Sequence, residues 1–375
     1  MKEKAPPMTR RKLVKAASLV PFAAVAGSAA NSAVTVGLFG SGKRGSTVSR
    51  LLVENTNARV VALCDLYDEQ IDLAKQKIGL KDPKIYKDYH NLLASDVDAV
   101  IIATPAFLHP EHFEAAIKSG KHIYIEKPAA PDVAGCKRIM RAADAADRKI
   151  NITFGFQRRY GQVYHKAKKL VDSGAIGPIR HGHAHFVKSG TVRPPVPRPV
   201  TKAEQIKSWY PWRDLSGDLI VENNVHVIDV LNWFLGGHPI SAIGSGGRTV
   251  RKDGDVRDHN HVSYNYGDGV DALLLGGTLA PRFHREVYER FMGSEGIVET
   301  AAEYWKHYRG RDDVLEEKSP RNVAIDAVEQ FVQRIAEGKP ENVGVRGAES
   351  TLTAILGRMA MDHRREVTWD EMMKS

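Results

Sequence analysis

The sequence predicts an α/β chain of two domains: an N-terminal domain with a parallel sheet, and a C-terminal α/β domain with a large, mainly antiparallel open sheet. Three observations carry this. Between residue 34 and about 155, short apolar runs alternate with helical segments, the pattern of βαβ units. The first of those runs opens directly into a glycine-rich turn. From 240 to 292, four stretches of period-two alternation follow one another with no helix between them, as antiparallel strands do. The boundary is expected near residue 156, giving domains over 34–156 and 157–375, with the C-terminal helices able to pack back on the first domain.

The first run, Val34 to Phe39, ends in Gly40-Ser41-Gly42-Lys43-Arg44-Gly45 and leads into a helical pattern. This is G-x-G-x-x-G in the setting that gives it meaning. Gly40 permits the tight turn, Gly42 lets the backbone approach a pyrophosphate, and Gly45 lets the new helix lie against the strand, whose free N–H groups face the phosphates. Phe39, Lys43 and Arg44 border the same turn. Twenty residues after Gly45 a second apolar run, Val60 to Cys64, ends in Asp65. A carboxylate there accepts from a ribose 2′-OH and repels a 2′-phosphate, so the cofactor expected is NAD rather than NADP.

The next elements follow in order. Val97 to Ala103 is a buried strand ending at Thr104-Pro105, Pro110 to Ser119 has helical spacing and stops at Gly120, and His122 to Ile125 is a strand ending at Glu126-Lys127-Pro128. Ile150 to Gly155 is a further strand. Open parallel sheets bind ligands outside the carboxyl ends of their strands, where Asp65, Thr104 and Lys127 all fall. After Gly155 come a helix over 161–173, a strand over 181–187, and an extended loop over 190–200 stiffened by Pro194, Pro195, Pro197 and Pro199. Strands are expected at 240–249, 257–266, 269–279 and 284–292, and an amphipathic helical tail from 323 to 364.

Ahead of the first strand stand Arg10-Arg11, a short mild apolar stretch from Ala16 to Ala26, and small residues to Ala33. This is similar to a twin-arginine signal peptide over residues 1–33, so the expectation is export to the periplasm or beyond through the twin-arginine machinery. No run approaches the roughly 20 apolar residues of a membrane span, so no stable membrane insertion is expected. The leader also carries much of the formal charge of +9: removing residues 1–30 deletes six lysines and arginines against Glu3 and leaves about +4. What remains has no cluster of basic residues interleaved with aromatics, which argues against nucleic acid as a partner. Cys64 and Cys136 lack zinc-ligand spacing and read as packing residues; no metal is expected.

Two clusters could carry chemistry. In Glu126-Lys127-Pro128 a lysine at a strand end can hold or donate a proton beside a bound nicotinamide. In the stretch from Gly217 to Trp233, Glu222 and His226 are four apart and Asp229 follows after three, so a helix there would place all three on one face. A histidine flanked by carboxylates is a plausible acid/base with its orienting partners.

These elements, with Thr104-Pro105 and His109, Gly155-Phe156-Gln157-Arg158-Arg159-Tyr160, and Glu222-x-x-x-His226-x-x-Asp229, come in the order and spacing of the Gfo/Idh/MocA oxidoreductases, which the whole chain after the leader resembles. The resemblance implies an N-terminal Rossmann domain, a second domain whose open sheet carries the contacts of a homodimer or homotetramer, and a cis peptide before Pro128. It also implies that Lys127 and His226 face the reacting carbon of nicotinamide, with His226 taking the hydroxyl proton of a sugar or polyol. Thr104, Pro105, His109, Glu126 and Gln157 are then cofactor-side residues. Many polyol dehydrogenases of the family have Asp where this chain has Glu222, so its part as a third catalytic residue is the less direct transfer. Substrate candidates are Arg158, Tyr160, Asn223 and Asp229, and the loop residues Trp209, Trp212 and Arg213, whose aromatic faces and guanidinium suit a sugar ring or equally a subunit contact.

The function these readings predict is that of an exported NAD-dependent oxidoreductase acting on a carbohydrate. Export of a folded protein would carry its cofactor along, so NAD is expected to stay tightly bound and be recycled in place. Two alternatives stand beside it: a redox-neutral, NAD-dependent glycosidase working through a keto-sugar, and a sugar or nucleotide sensor without chemistry.

Overall fold

The computed structural model describes residues 33–190, 194–280 and 283–375. The leader expected over 1–33 lies, but for Ala33, outside them. Among the described residues no helix is long and apolar enough to cross a membrane.

The first sheet has six parallel strands, β1 (Thr35–Phe39), β2 (Arg59–Cys64), β3 (Lys84–Tyr86), β4 (Ala99–Ile102), β5 (His122–Ile125) and β6 (Ile152–Phe154), in the order β3-β2-β1-β4-β5-β6. β1 lies between β2 and β4 and is covered on both faces, which is why Val36 and Leu38 are fully buried. The crossovers are α1 (Lys43–Asn55), α2 (Asp68–Ile78), α3 (Tyr89–Leu93), α4 (His109–Lys118) and α5 (Val133–Asp144). Because α1 starts at the end of β1 and β4 runs beside it, the glycine turn, Asp65 and Thr104 gather at one end of this sheet.

α6 (Gln162–Asp172) leads into the second sheet, whose nine strands are β7 (Ile179–Ser189), β8 (Ser241–Gly247), β9 (His259–Asn265), β10 (Asp271–Ala280), β11 (Arg285–Gly293), β12 (Ile297–Ala301), β13 (Tyr304–Tyr308), β14 (Val314–Lys318) and β15 (Val367–Thr368). Their order is β14-β13-β12-β11-β7-β10-β9-β8-β15, with β7 and β10 parallel and every other pair antiparallel. Between β7 and β8 come the short helices α7 (Lys202–Lys207) and α8 (Arg213–Ser216), a π-turn over Ile220–Asn224, and α9 (Val225–Leu235). The even residues of β7, Gly182, Ala184 and Phe186, face α9 and are buried. His181, His183 and His185 stand on the other, open face, which also carries exposed Leu273, Leu275 and Ile243.

The amphipathic tail is two helices, not one. α10 (Val323–Ala336) ends before Gly338, whose φ of +63° and the following Lys339-Pro340 stop the helix, and α11 (Gly344–His363) begins anew; α12 (Trp369–Lys374) closes the chain. α10 lies on the first sheet, where Phe331 meets Tyr124 edge-on at 5.6 Å. Between the two helices the chain pairs with the sheet's edge: Ile152 N donates to Glu341 O (2.8 Å) and Val343 N to Ile152 O (3.2 Å). The period-two reading placed β8 to β11 within a few residues, but gave no strand for β12 to β14.

Candidate active site

The glycine turn is built as the motif requires. Gly40 has φ +83°, and a Cβ there would lie 2.6 Å from the Ala103 carbonyl oxygen; one on Gly45 would lie 2.1 Å from the Gly40 carbonyl oxygen. A Cβ on Gly42 would have only Gln70 Oε1 near it, at 3.5 Å, so this side is open. Among the described residues no side chain caps α1, and its first turn holds no acid, which leaves its N–H groups to an anion from outside. Asp65 accepts from Ser41 N (2.8 Å) and Tyr67 N (3.1 Å); burial raises its pKa and these bonds work against the rise. A cavity of about 350 Å³ opens here, lined by Phe39, Gly40, Asp65, Thr104, Pro105 and His112 among others. Open N–H groups, a cradle that any Cβ would fill, and a carboxylate at the next strand end fit the pyrophosphate and adenosine ribose of NAD.

Other cofactor-side candidates divide. Arg44 pairs with buried Glu126 (2.7 Å) and donates to Gln157 Oε1 (2.9 Å), tying the turn to the ends of β5 and β6. Gly155 gives Glu126 its room, since a Cβ there would lie 2.8 Å from the carboxylate. Lys43 is exposed, and its side chain has no partner among the described residues. His109 is buried, with its ring nitrogens facing the carbonyl oxygens of Pro128 (2.7 Å) and Thr104 (2.9 Å), so it fastens two strand-end loops together instead of meeting a ligand. Thr104 Oγ1 is engaged with His112 Nδ1 (2.9 Å), whose pKa burial pushes down to about 4.

Lys127 precedes a cis peptide to Pro128. Its Nζ donates to Glu222 Oε1 (2.8 Å) and to the Glu222 carbonyl oxygen (2.6 Å). Glu222 lies in the π-turn that precedes α9, not in a regular α-helix, and such turns recur at functional sites. Its other oxygen, Oε2, is buried with no hydrogen-bond partner among the described residues, an acceptor left for a hydroxyl. Burial raises the Glu222 pKa against the pull of Lys127. His226, at the start of α9, rests edge-on against Phe156 with centroids 6.4 Å apart. Burial, and after it the Lys127 charge, hold its pKa well below the ordinary imidazole range, so the ring is neutral and able to accept a proton.

The structure takes four proposed substrate residues elsewhere. Asp229 is 1% exposed and held by Arg159 and Ser350, so it neither orients His226 nor meets a ligand. Arg158 is buried in an ion pair with Glu289 of β11. Tyr160 is buried in the core between the first sheet and α10. Arg213 pairs with Asp218 (3.2 Å) and Asp362 (2.6 Å), anchoring α8 to the end of α11. Asn223 does stay beside the cluster, donating to Tyr210 Oη (2.9 Å). Trp209 packs edge-on against Tyr210, and Trp212 carries the Arg198 guanidinium over its ring at 5.0 Å. One element was not foreseen. α7 reaches from the second domain to the adenosine cavity, where Lys202, Ala203 and Ile206 line it and Tyr67 Oη donates to Ala203 O (2.8 Å). Its signal was a capping box, Thr201 with Glu204, that opens a helix directly after the prolines.

Comparison with known proteins agrees with this arrangement. Residues 34–154 match the oxidoreductase family described as having an NAD-binding Rossmann fold, and residues 164–299 match the GFO/IDH/MocA C-terminal domain. Inositol 2-dehydrogenase of Salmonella typhimurium is 31% identical over 201 residues, 53% of this chain and 54% of that protein, so the match spans about half the length of such relatives. Among solved structures, myo-inositol 2-dehydrogenase from Lactobacillus plantarum superposes with a TM-score of 0.72 at 24% identity, over 90% of this chain and 99% of that one. Levoglucosan dehydrogenase in complex with NADH and levoglucosan superposes with a TM-score of 0.77 at 19% identity, over 90% and 99%. At these identities the two structures share the fold. With both domains matched in order, the chain belongs to the Gfo/Idh/MocA family of oxidoreductases, and its first domain is that family's NAD-binding domain.

Proposed function

We propose that this protein transfers hydride between a hydroxyl-bearing carbon of a sugar or polyol and NAD. The observation that carries the reading is the cluster of Lys127, Glu222 and neutral His226, positioned by the loop after β5 and the start of α9. Bound NAD would accept or return the hydride. His226 takes the proton of the reacting hydroxyl as general base and gives it back in the reverse direction. Lys127, held by Glu222, offers its remaining ammonium proton to the substrate oxygen, and Glu222 Oε2 accepts from a neighbouring hydroxyl. Glu126 and Arg44 keep the turn and the Lys127 strand end in register.

α7 over the adenosine cavity supports the further proposal that NAD is retained between turnovers. Retention suits a protein exported by the leader over residues 1–33, away from a free nucleotide pool. The open face of the second sheet, with Leu273, Leu275 and Ile243 exposed, supports assembly into a homodimer or homotetramer. The test is an absorbance spectrum of the purified protein near 340 nm, first alone and then with myo-inositol, levoglucosan, a panel of aldoses and the corresponding sugar acids, without and with added NAD. A band that grows without added coenzyme is the expected result. Growth only with added NAD refutes retention, and no growth with any member under either condition refutes the reaction.

A further inference from the structure

Lys188 enters the catalytic cluster from the second sheet. Its parity on β7 is that of Gly182, Ala184 and Phe186, the residues that face α9. A Cβ on Gly182 would lie 3.3 Å from Leu231 Cδ2, and one on Gly276, the β10 partner of Phe186, would lie 2.3 Å from Asn224 Oδ1. Passing up β7 from 182 to 186 therefore follows the helix back from Leu231 to Asn224. One pleat further, about 7 Å, Lys188 comes within electrostatic reach of Glu222 and Lys127. Its ammonium lies 4.9 Å from the Phe186 ring centroid and makes no hydrogen bond or ion pair among the described residues. Among the described residues, the carboxylate that acts on it is Glu222, which Lys127 already engages.

The flanking sequence offers no other counter-charge. From Ser189 to Ala203 there is no acidic residue, but Arg193, Arg198 and Lys202; from Gly276 to Arg285 there is none either, but Arg282 and Arg285. Arg198 is matched by Asp214. The cleft thus brings two ammonium groups to a single carboxylate, and a half-buried lysine without a partner is a costly arrangement unless a ligand completes it. Burial first, then Lys127 and Arg285, push the Lys188 pKa below the usual lysine range, a push that an anion between the two ammonium groups would oppose.

Resting on the reaction proposed for Lys127 and His226, we infer that Lys188 binds the substrate and that the substrate is a sugar acid, whose carboxylate pairs with Lys188 while a hydroxyl carbon faces His226. A single unmatched ammonium suits a monoanion of this kind. A phosphorylated sugar, with a dianionic group, would call for more donors than the described cleft provides.

The test compares D-glucuronate with D-glucose and D-gluconate with D-glucitol, for the NAD-loaded protein and its Lys188→Met and Lys188→Arg variants, by calorimetric binding and by turnover. D-glucose 6-phosphate is a fifth ligand. The wild type should bind each acid at least tenfold more tightly than its neutral counterpart, with the difference shrinking as salt is raised. Lys188→Met should bring the ratio to within about twofold of unity, and Lys188→Arg should keep most of it. The inference is overturned if neither acid binds, if acid and neutral forms bind alike, if Lys188→Met leaves the ratio intact, or if the phosphate outcompetes both acids. Binding with the expected preference but no turnover of any member would refute the proposed reaction alone.

Discussion

Removing the Arg159 guanidinium should damage stability far more than substrate affinity. Arg159 Nε lies 3.0 and 2.9 Å from the two carboxylate oxygens of Asp229, and Nη2 lies 2.9 Å from Oδ1 and 3.0 Å from the Asp229 carbonyl oxygen. Asp229 is 1% exposed, and among the described residues its one other donor is Ser350 Oγ at 2.7 Å. In Arg159→Ala the carboxylate is therefore left charged, buried and with a single hydrogen bond, a loss of about 3–5 kcal/mol for breaking a buried pair from one side. With a urea slope near 3 kcal/mol per molar, the unfolding midpoint should fall by about 1–1.7 M, read by tryptophan fluorescence, since Arg159 also lies 5.3 Å over the Trp233 ring. The double variant Arg159→Met, Asp229→Leu should recover most of the loss, because apolar groups of similar volume replace the whole pair. A midpoint shift below about 0.3 M would refute the reasoning, as would an Asp229→Asn variant whose KM rises while its midpoint holds, since that would return Asp229 to the substrate.

His226→Asn should lower kcat/KM by about 10²–10⁴, the usual worth of a general base. In the wild type, because burial keeps His226 neutral, the pH profile should show no acid limb at about 6.5; a limb there that vanishes in His226→Asn would refute the assignment. His112 has its pKa lowered from 6.5 to about 4, so between those values the unfolded chain binds a proton that the folded one does not. Its contribution is whole above pH 6.5 and is lost as pH falls toward 4, up to about 3 kcal/mol; His112→Gln should flatten that part of a stability-versus-pH curve, and an unchanged slope would count against it. Tyr67→Phe combined with Ile206→Ala should loosen α7 from the adenosine cavity and speed release of NADH about tenfold, in keeping with a lost hydrogen bond of about 1 kcal/mol plus lost burial; stopped-flow fluorescence would show it, and an unaltered rate would mean that α7 does not hold the nucleotide.

Local geometry was legible in the sequence, and long-range partnership was not. Gly40, Gly45 and Asp65 could be read because turn, helix start and strand end are consecutive in the chain and each residue type has one backbone reason to be there. Strands β8 to β11 could be read because one face is buried and the other is open, so the alternation is strong. β14 is the sheet's edge strand and is exposed almost throughout, which erases that contrast there. The spacing of Glu222, His226 and Asp229 suggested a shared face, but Asp229 is claimed by Ser350, 121 residues away, and Arg158 by Glu289, 131 residues away. No local pattern announces such partners.

The return of α10 and α11 to the first sheet means that no leading portion of this chain is a finished domain. Tyr124 and Ile152 wait for Phe331 and Val343, which a ribosome adds roughly two hundred residues later. Until then the first sheet has an uncovered apolar flank and an unpaired edge, surfaces that invite capture by chaperones or by other nascent chains. A truncation near residue 320 should therefore yield a first domain that aggregates, although every residue of its nucleotide turn is present. Completion of the binding fold is in this way coupled to completion of synthesis.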